Sequence, residues 1–330
     1  MMVILTTLPN ATEKDLSLIE PIISAELTRI IGYINTFVLA ISLGALGIFA
    51  NTANISVYLK MGLQETTNIN FFALSAFDLF VSLGAVVIHL TYNRPLSVMR
   101  LPSGALVGEI GIGSCFVFYP CLGCSAWITA ILSVERCLCI SMPLKIKQIA
   151  TPKRMVLLIL TMAAYELIFI VLLYIDPGPP YQVVNPRASL YFICSFSAPC
   201  LVCFFIVLIS TVLLVVRLKQ NLEWRNELNE APKQTIQISK GSKEMKAARS
   251  VVAICVIFIV CFAPNVALFA LSLVDPRFTP YDPYYGNLMR PVYALSSLLQ
   301  VFSSAVNIVV YYKMSTKYRE VFRAIFCRKD

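Results

Sequence analysis

Residues 110–140 read IGIGSCFVFYPCLGCSAWITAILSVERCLCI: apolar and small residues over a length that can cross a bilayer, closed by an acid and an arginine side by side, Glu135 and Arg136. A membrane-crossing helix needs about 20 predominantly apolar residues, and a charge at its centre costs on the order of 3 kcal/mol. Placing the pair at the end of the run avoids that cost, so the stretch reads as one span with a charged end. An arginine there can anchor the helix at the headgroups, pair with Glu135 or an acid on another helix, or meet a visiting partner.

Working outward, six more runs of this kind appear: Ile30 to Leu59, Ile69 to Thr91, Met155 to Ile175, Leu190 to Val216, Ala247 to Leu273 and Pro291 to Tyr312. Helices are expected, because each satisfies its own backbone groups in hydrocarbon, and none of the runs alternates as barrel strands do. Of the 330 residues, 58% are hydrophobic and 14% charged, too polar-poor a composition to cover a water-soluble domain. The expected fold is an all-α membrane protein, a seven-transmembrane helix bundle with a short amphipathic eighth helix at Ser315 to Cys327. In that last helix Tyr318, Val321, Phe322 and Ile325 share one face, while Lys317, Arg319 and Arg323 point elsewhere, the pattern of a helix lying on a membrane surface.

Seven spans put the termini on opposite sides. With the N-terminus outside, only seven of the 27 lysines and arginines face outward (Lys14, Arg29, Arg94, Arg100, Arg187, Arg277 and Arg290), as the positive-inside rule asks. The net charge of +9 is then mainly a property of the cytoplasmic face, suited to anionic membrane lipid and an acidic protein partner, with no nucleic acid implied. Residues 1–29 are expected outside, 30–312 form the seven-span domain with a polar third inner loop at about 217–246, and 313–330 hold the amphipathic helix and tail. The opening MMVILTTLPN lacks the basic start of a signal peptide. Asn10-Ala11-Thr12 fits a glycosylation acceptor on the outer side, and Cys327 is a candidate for palmitoylation or is an unmodified thiol.

Polar residues inside spans need a reason. Asp78 lies in the second span, Asn51 and Asn54 in the first, Ser125 in the third, Ser303 and Asn307 in the seventh. If the spans pack as a bundle, this set can converge around Asp78. It then forms either a neutralised acid held by hydrogen bonds or an oxygen cluster suited to a small hard cation such as sodium. Cys121-Leu122-Gly123-Cys124 has metal-type spacing, yet the chain has one histidine, His89, and its eleven cysteines fall mostly in apolar spans, where they serve as small packing residues. An intramembrane hydrolase would need two facing carboxylates, but Glu166, the other buried acid, is on a different helix from Asp78, and no G-x-S-x-G elbow exists. No enzyme is expected. A transporter or channel stays open as an alternative, although seven spans do not divide into two equal repeats.

Glu135-Arg136-Cys137 with Ile140 and Pro143-Leu144, Leu74 to Asp78, Cys261-Phe262-Ala263-Pro264, Asn307 to Tyr311, and Asn51 in the first span resemble, in order and at matching depths, the motifs of rhodopsin-like G-protein-coupled receptors. The resemblance implies a receptor in the plasma membrane that passes ligand binding outside to a heterotrimeric G-protein inside, with arrestin as a further partner. It implies a cytoplasmic switch of Glu135, Arg136, Glu244 and Tyr311, a toggle at Phe262 with a kink at Pro264, and an allosteric sodium ion held by Asp78, Ser125, Ser303 and Asn307, with no other cofactor. The chain departs from that pattern at several points. Cys137 stands for the usual tyrosine, Phe262 for tryptophan and Ile308 for proline. Gly111 stands where the outer disulfide cysteine is usual, with only Cys115 and Cys194 as remote substitutes. The fourth-helix tryptophan and fifth-helix tyrosine are missing, while Pro199 is kept.

Phe118 occupies the position where amine receptors carry an aspartate, which disfavours an amine, and the seventh span has no lysine for a retinal Schiff base. His89, Tyr92, Glu109, Phe118, Tyr119, Phe262, Arg290 and Tyr293 are the candidate ligand lining for a small polar molecule or a peptide end, or are interfacial anchors. The run Lys60-Met61-Gly62 through Ser75 is similar to chemosensory receptors of the molluscan, FMRFamide-receptor-like group, which implies an environmental chemical or a short peptide as ligand.

Overall fold

Each apolar run becomes a helix. The computed structural model describes residues 21–91, 104–175, 190, 192–228, 235–275, 277–280 and 282–327; the side chains of 221–247 and of a few other helical positions, Glu109 among them, also fall outside the description. Asn10 and Tyr92 lie outside the described residues, as do the side chains of Glu109 and Glu244. The helices are α1 (Ala25–Met61), α2 (Thr66–Thr91), α3 (Gly104–Ser141), α4 (Pro152–Ile175), α5 (Ile193–Ser197 continuing through Ala198–Leu228), α6 (Thr235–Val274), α7 (Gly286–Met314) and α8 (Thr316–Phe326). The first seven are each long and apolar enough to cross a membrane, and no strand occurs among the described residues. The protein is a multi-pass, seven-helix membrane bundle with a further C-terminal helix.

Several bounds differ from the sequence expectation, because polar turns add no apolar signal. α5 runs to Leu228 and α6 starts at Thr235, so both spans extend as helix into the polar stretch at 217–246, which reads in the sequence as helix extensions joined by a loop. A short helix, Pro143–Ile149, follows α3, with proline at its first position, where the missing N–H costs nothing. α1 ends at Gly62, whose φ of 88° only glycine adopts without strain; its N–H caps the carbonyls of Tyr58 and Leu59.

Two helices widen locally to π-helical hydrogen bonding. In α5 the widened turn, Ile193–Ser197, ends two residues before Pro199, whose ring would otherwise press on the carbonyl four residues back. In α1 it spans Ile34–Ala40, and Asn35 and Ala40, five residues apart, are both buried.

α3 stands at the centre, packed against α2, α4, α5 and α6, while α1 and α7 close the bundle beside α2. Most of the core is one cluster of aliphatic, aromatic and cysteine side chains from Val57 to Tyr318, with a smaller cluster of Leu214, Leu218 and Ala248 between α5 and α6. α4 leans on α2 and α3 and meets α5 chiefly at its first turn, where Tyr165 Oη donates to the carbonyl of Cys194 at 2.7 Å. Outward-facing leucines and isoleucines such as Leu157, Leu160, Leu167 and Ile175 are exposed, as a lipid-facing surface requires.

Candidate functional site

The first polar centre lies where α3 ends against the start of α2. Asn68 Nδ2 donates to the carbonyl of Gly62 at 2.9 Å, fixing the turn from which α2 rises. The first turns of α2 present Thr66, Thr67 and Asn70 to α3. Glu135 accepts from Thr66 Oγ1 at 2.6 Å and from Asn70 Nδ2 at 2.7 Å, and it pairs with Arg136 at 3.0 Å. Arg136 also donates to Thr67 Oγ1. Both charged residues are buried. The acid-arginine pair is thus held by α2, a contribution that sequence reasoning misses: Thr and Asn at a helix start read first as caps.

The second centre lies midway along the bundle. Asp78, 2% exposed, accepts from Ser125 Oγ at 2.8 Å and from Asn307 Nδ2 at 2.9 Å, and the Ser304 hydroxyl is within its reach. A cavity of about 10 Å³ adjoins the carboxylate, lined also by Thr129, Phe258, Phe262 and Ser303. Asn307 Oδ1 faces no donor among the described residues. Phe262 is buried and stacks on Phe258 with ring centroids 4.1 Å apart, two residues before Pro264 within α6. The cavity therefore joins the polar site to the aromatic pair.

Asn51 and Asn54 do not converge on Asp78. Asn51 Nδ2 donates to the carbonyls of Gly47 and Ser304 at 3.0 and 3.1 Å, and Asn54 Nδ2 donates to Asn51 Oδ1 at 3.4 Å. Asn54 Oδ1 in turn accepts from Tyr318 Oη at 2.5 Å. α1 sits between α7 and α8 here, so its asparagines tie those helices together instead of reaching the carboxylate. Tyr318, fully buried, also packs its ring 5.7 Å from that of Tyr311, which is caged further by Tyr58 at 5.4 Å and Phe71 at 4.8 Å.

The described members of the expected ligand lining each have a definite setting. Arg290 is exposed and donates to the carbonyl of Pro280 at 2.9 Å, and Tyr293 donates to that of Phe278 at 3.4 Å. Both side chains are drawn to the loop before α7, whose open carbonyls compete for them. In the same loop the exposed Arg277 guanidinium holds the carboxyl of Asp275 below its usual range. Phe118 is buried against Gly84 of α2; Tyr119 packs with Phe192 and Phe196 of the fifth-helix segment. His89 is half-buried near the end of α2.

Cys115 and Cys194 are not joined to each other in a disulfide. Cys200 and Cys203 on α5 make a second C-x-x-C beside that of Cys121 and Cys124, and both members are buried. Among the described residues no three of His, Cys, Asp and Glu are placed to share a metal ion. Glu166 of α4, also buried, faces Gly123.

A bundle of seven membrane-crossing helices, with a buried carboxylate centre and an acid-arginine pair at the end of α3, defines the class as a seven-helix membrane receptor. The chain belongs to the 7 transmembrane receptor (rhodopsin family), whose model matches residues 53–311. No curated protein matches the chain significantly.

Proposed function

We propose that the protein is a G-protein-coupled receptor of the plasma membrane, with its N-terminus and Asn10 outside and the Arg136 end facing the cytoplasm. The ligand is an environmental chemical or a short peptide, as in chemosensory and FMRFamide-type receptors. The observation that carries this reading is the Glu135-Arg136 pair, buried at a helix end and held by Thr66, Thr67 and Asn70. A buried arginine whose bonds run to its neighbouring acid and to the adjacent helix is a latch: separating the helices frees it for a partner. Phe262 and Pro264 would transmit ligand binding along α6, since proline removes one rung of the helix ladder. Tyr311 would leave its aromatic cage in the active state. Glu244 would add a second acid to the latch, and Thr235, Ser239 and Ser242 are the better sites for phosphorylation and arrestin recruitment. Cys327, exposed beside the amphipathic α8, suits acylation at the inner leaflet.

The test is nucleotide exchange on a heterotrimeric G-protein, with amino acids, odorants and short amidated peptides as challenges. Arg136→Ala should abolish ligand-driven exchange while surface expression survives; unchanged coupling would sink the latch. Ligand-gated current without G-protein would instead support a channel or transporter.

The Asp78 centre fits sodium: a carboxylate, hydroxyls and the undonated Oδ1 of Asn307 border one small cavity, a set of hard oxygen donors. Asp78, Ser125, Ser303 and Asn307 would hold the ion, which supplies a charge that favours the resting packing. Sodium should then lower agonist affinity in the wild type and leave Asp78→Ala unaffected. Equal sensitivity of the two in competition binding removes the cation from the scheme.

A further inference from the structure

The proposed receptor mechanism uses Asp78, Glu135 and Arg136, and leaves one buried acid without a role. Glu166 is 1% exposed, and neither of its carboxylate oxygens has a hydrogen-bond partner among the described residues. A carboxyl group buried with no donor is among the costliest groups a protein can hold. The packing nevertheless makes room for it. A Cβ on Gly123 would stand 2.5 Å from Glu166 Oε1, so the absence of a side chain there is what lets the carboxyl lie against α3.

One helical turn from Gly123, on the same face of α3 and away from the Arg136 end, stands Tyr119. Its ring packs edge-on against Phe192 at 5.1 Å and Phe196 at 5.2 Å, and those two rings lie 5.4 Å from each other. The donor-less carboxyl thus lies against α3 at Gly123, one helical turn along the same face from the residue that carries the first of three clustered aromatic rings contributed by two helices. Carboxylate oxygens accept N–H donors, and aromatic faces attract a cation through their quadrupole. Together they form the recognition chemistry of an organic ammonium group.

We propose that Glu166, Tyr119, Phe192 and Phe196 form a binding site for a primary ammonium group, carried by a small amine or by the amino terminus of a peptide. The usual objection to an amine is Phe118 on α3; here the countercharge comes from α4. The biological meaning of the site rests on the receptor reading above, but its occupancy does not require a G-protein.

The full chain in nanodiscs is titrated with phenethylamine and N-acetylphenethylamine, and with the tripeptide Gly-Phe-Gly bearing a free or an acetylated amino terminus, following the thermal unfolding midpoint. A free-amine form should raise the midpoint saturably and its acetylated counterpart should not. Glu166→Gln should weaken that binding at least tenfold. Gly123→Ala, which drives a methyl into the carboxyl while leaving Glu166 in the chain, should weaken it too and serves if Glu166→Gln does not fold. A response confined to phenethylamine assigns a small amine, and one confined to the tripeptide assigns a peptide terminus. Equal binding by the variants, equal effects of the acetylated forms, or no shift with either free amine overturns the site. Nucleotide exchange, measured separately, reports on the receptor reading, so either idea can fail alone.

Discussion

Glu135 and Glu166 are both buried glutamates on helices packed side by side, at 4% and 1% exposure, yet Glu135 is held by Thr66, Asn70 and Arg136 while Glu166 has no partner among the described residues. The same side chain thus plays two physical parts. With its donors in place it holds α2 and α3 in one arrangement, and its removal strands a buried arginine. Without donors it costs the resting fold stability and keeps its hydrogen-bonding capacity for a guest.

The sharpest way to break this comparison is to replace each acid by leucine. Glu135→Leu should destabilise the protein by about 3–5 kcal/mol, the usual cost of leaving one member of a buried pair uncompensated, and should raise ligand-independent nucleotide exchange. Glu166→Leu should do the reverse, stabilising by about 1–3 kcal/mol because an unsatisfied polar group is exchanged for an apolar one. Unfolding followed in detergent checks both; shifts of the same sign would show that the two acids do not differ in kind. A smaller effect sharpens the contrast at the partnered end. Tyr318→Phe keeps the ring against Tyr311 but removes the donor to Asn54, and should cost about 1 kcal/mol, with faster amide exchange confined to α8. Unaltered exchange there would mean that ring packing alone docks the helix.

The seven spans are legible in the sequence because apolar runs this long, with so few charges between their ends, match the thickness of a bilayer and exceed what a soluble core helix buries. The meeting of Asp78 with Ser125 and Asn307 is legible because polar groups in hydrocarbon must find one another. What escapes has physical reasons. Thr66, Thr67 and Asn70 are ordinary residues for a helix start, so nothing in their identity announces that they grip an acid on α3. Tyr318 reads only as one member of an apolar face, since a pattern of amphipathicity ignores its hydroxyl. Glu166 reads as an acid on a different helix from Asp78, and its own surroundings depend on how α4 leans on α3, which sequence periodicity does not encode. Arg290 and Tyr293 donate to the carbonyls of Pro280 and Phe278, backbone partners that no pattern of side chains announces.

The widened turn at Ile34–Ala40 divides α1 into two registers. Below it, Asn51 is keyed to the carbonyl of Ser304; above it, Thr28 Oγ1 is keyed to that of Asn287 at 2.8 Å. A uniform α-helix advances about 100° per residue, so in one unbroken winding the setting of either key would dictate the other. The extra residue in the turn acts as a phase adjuster between them. Mutations that retune the Thr28 end are thereby insulated from the asparagines that join α1 to α7 and α8, and the first turns of the helix are free to diversify over an interior whose geometry stays put.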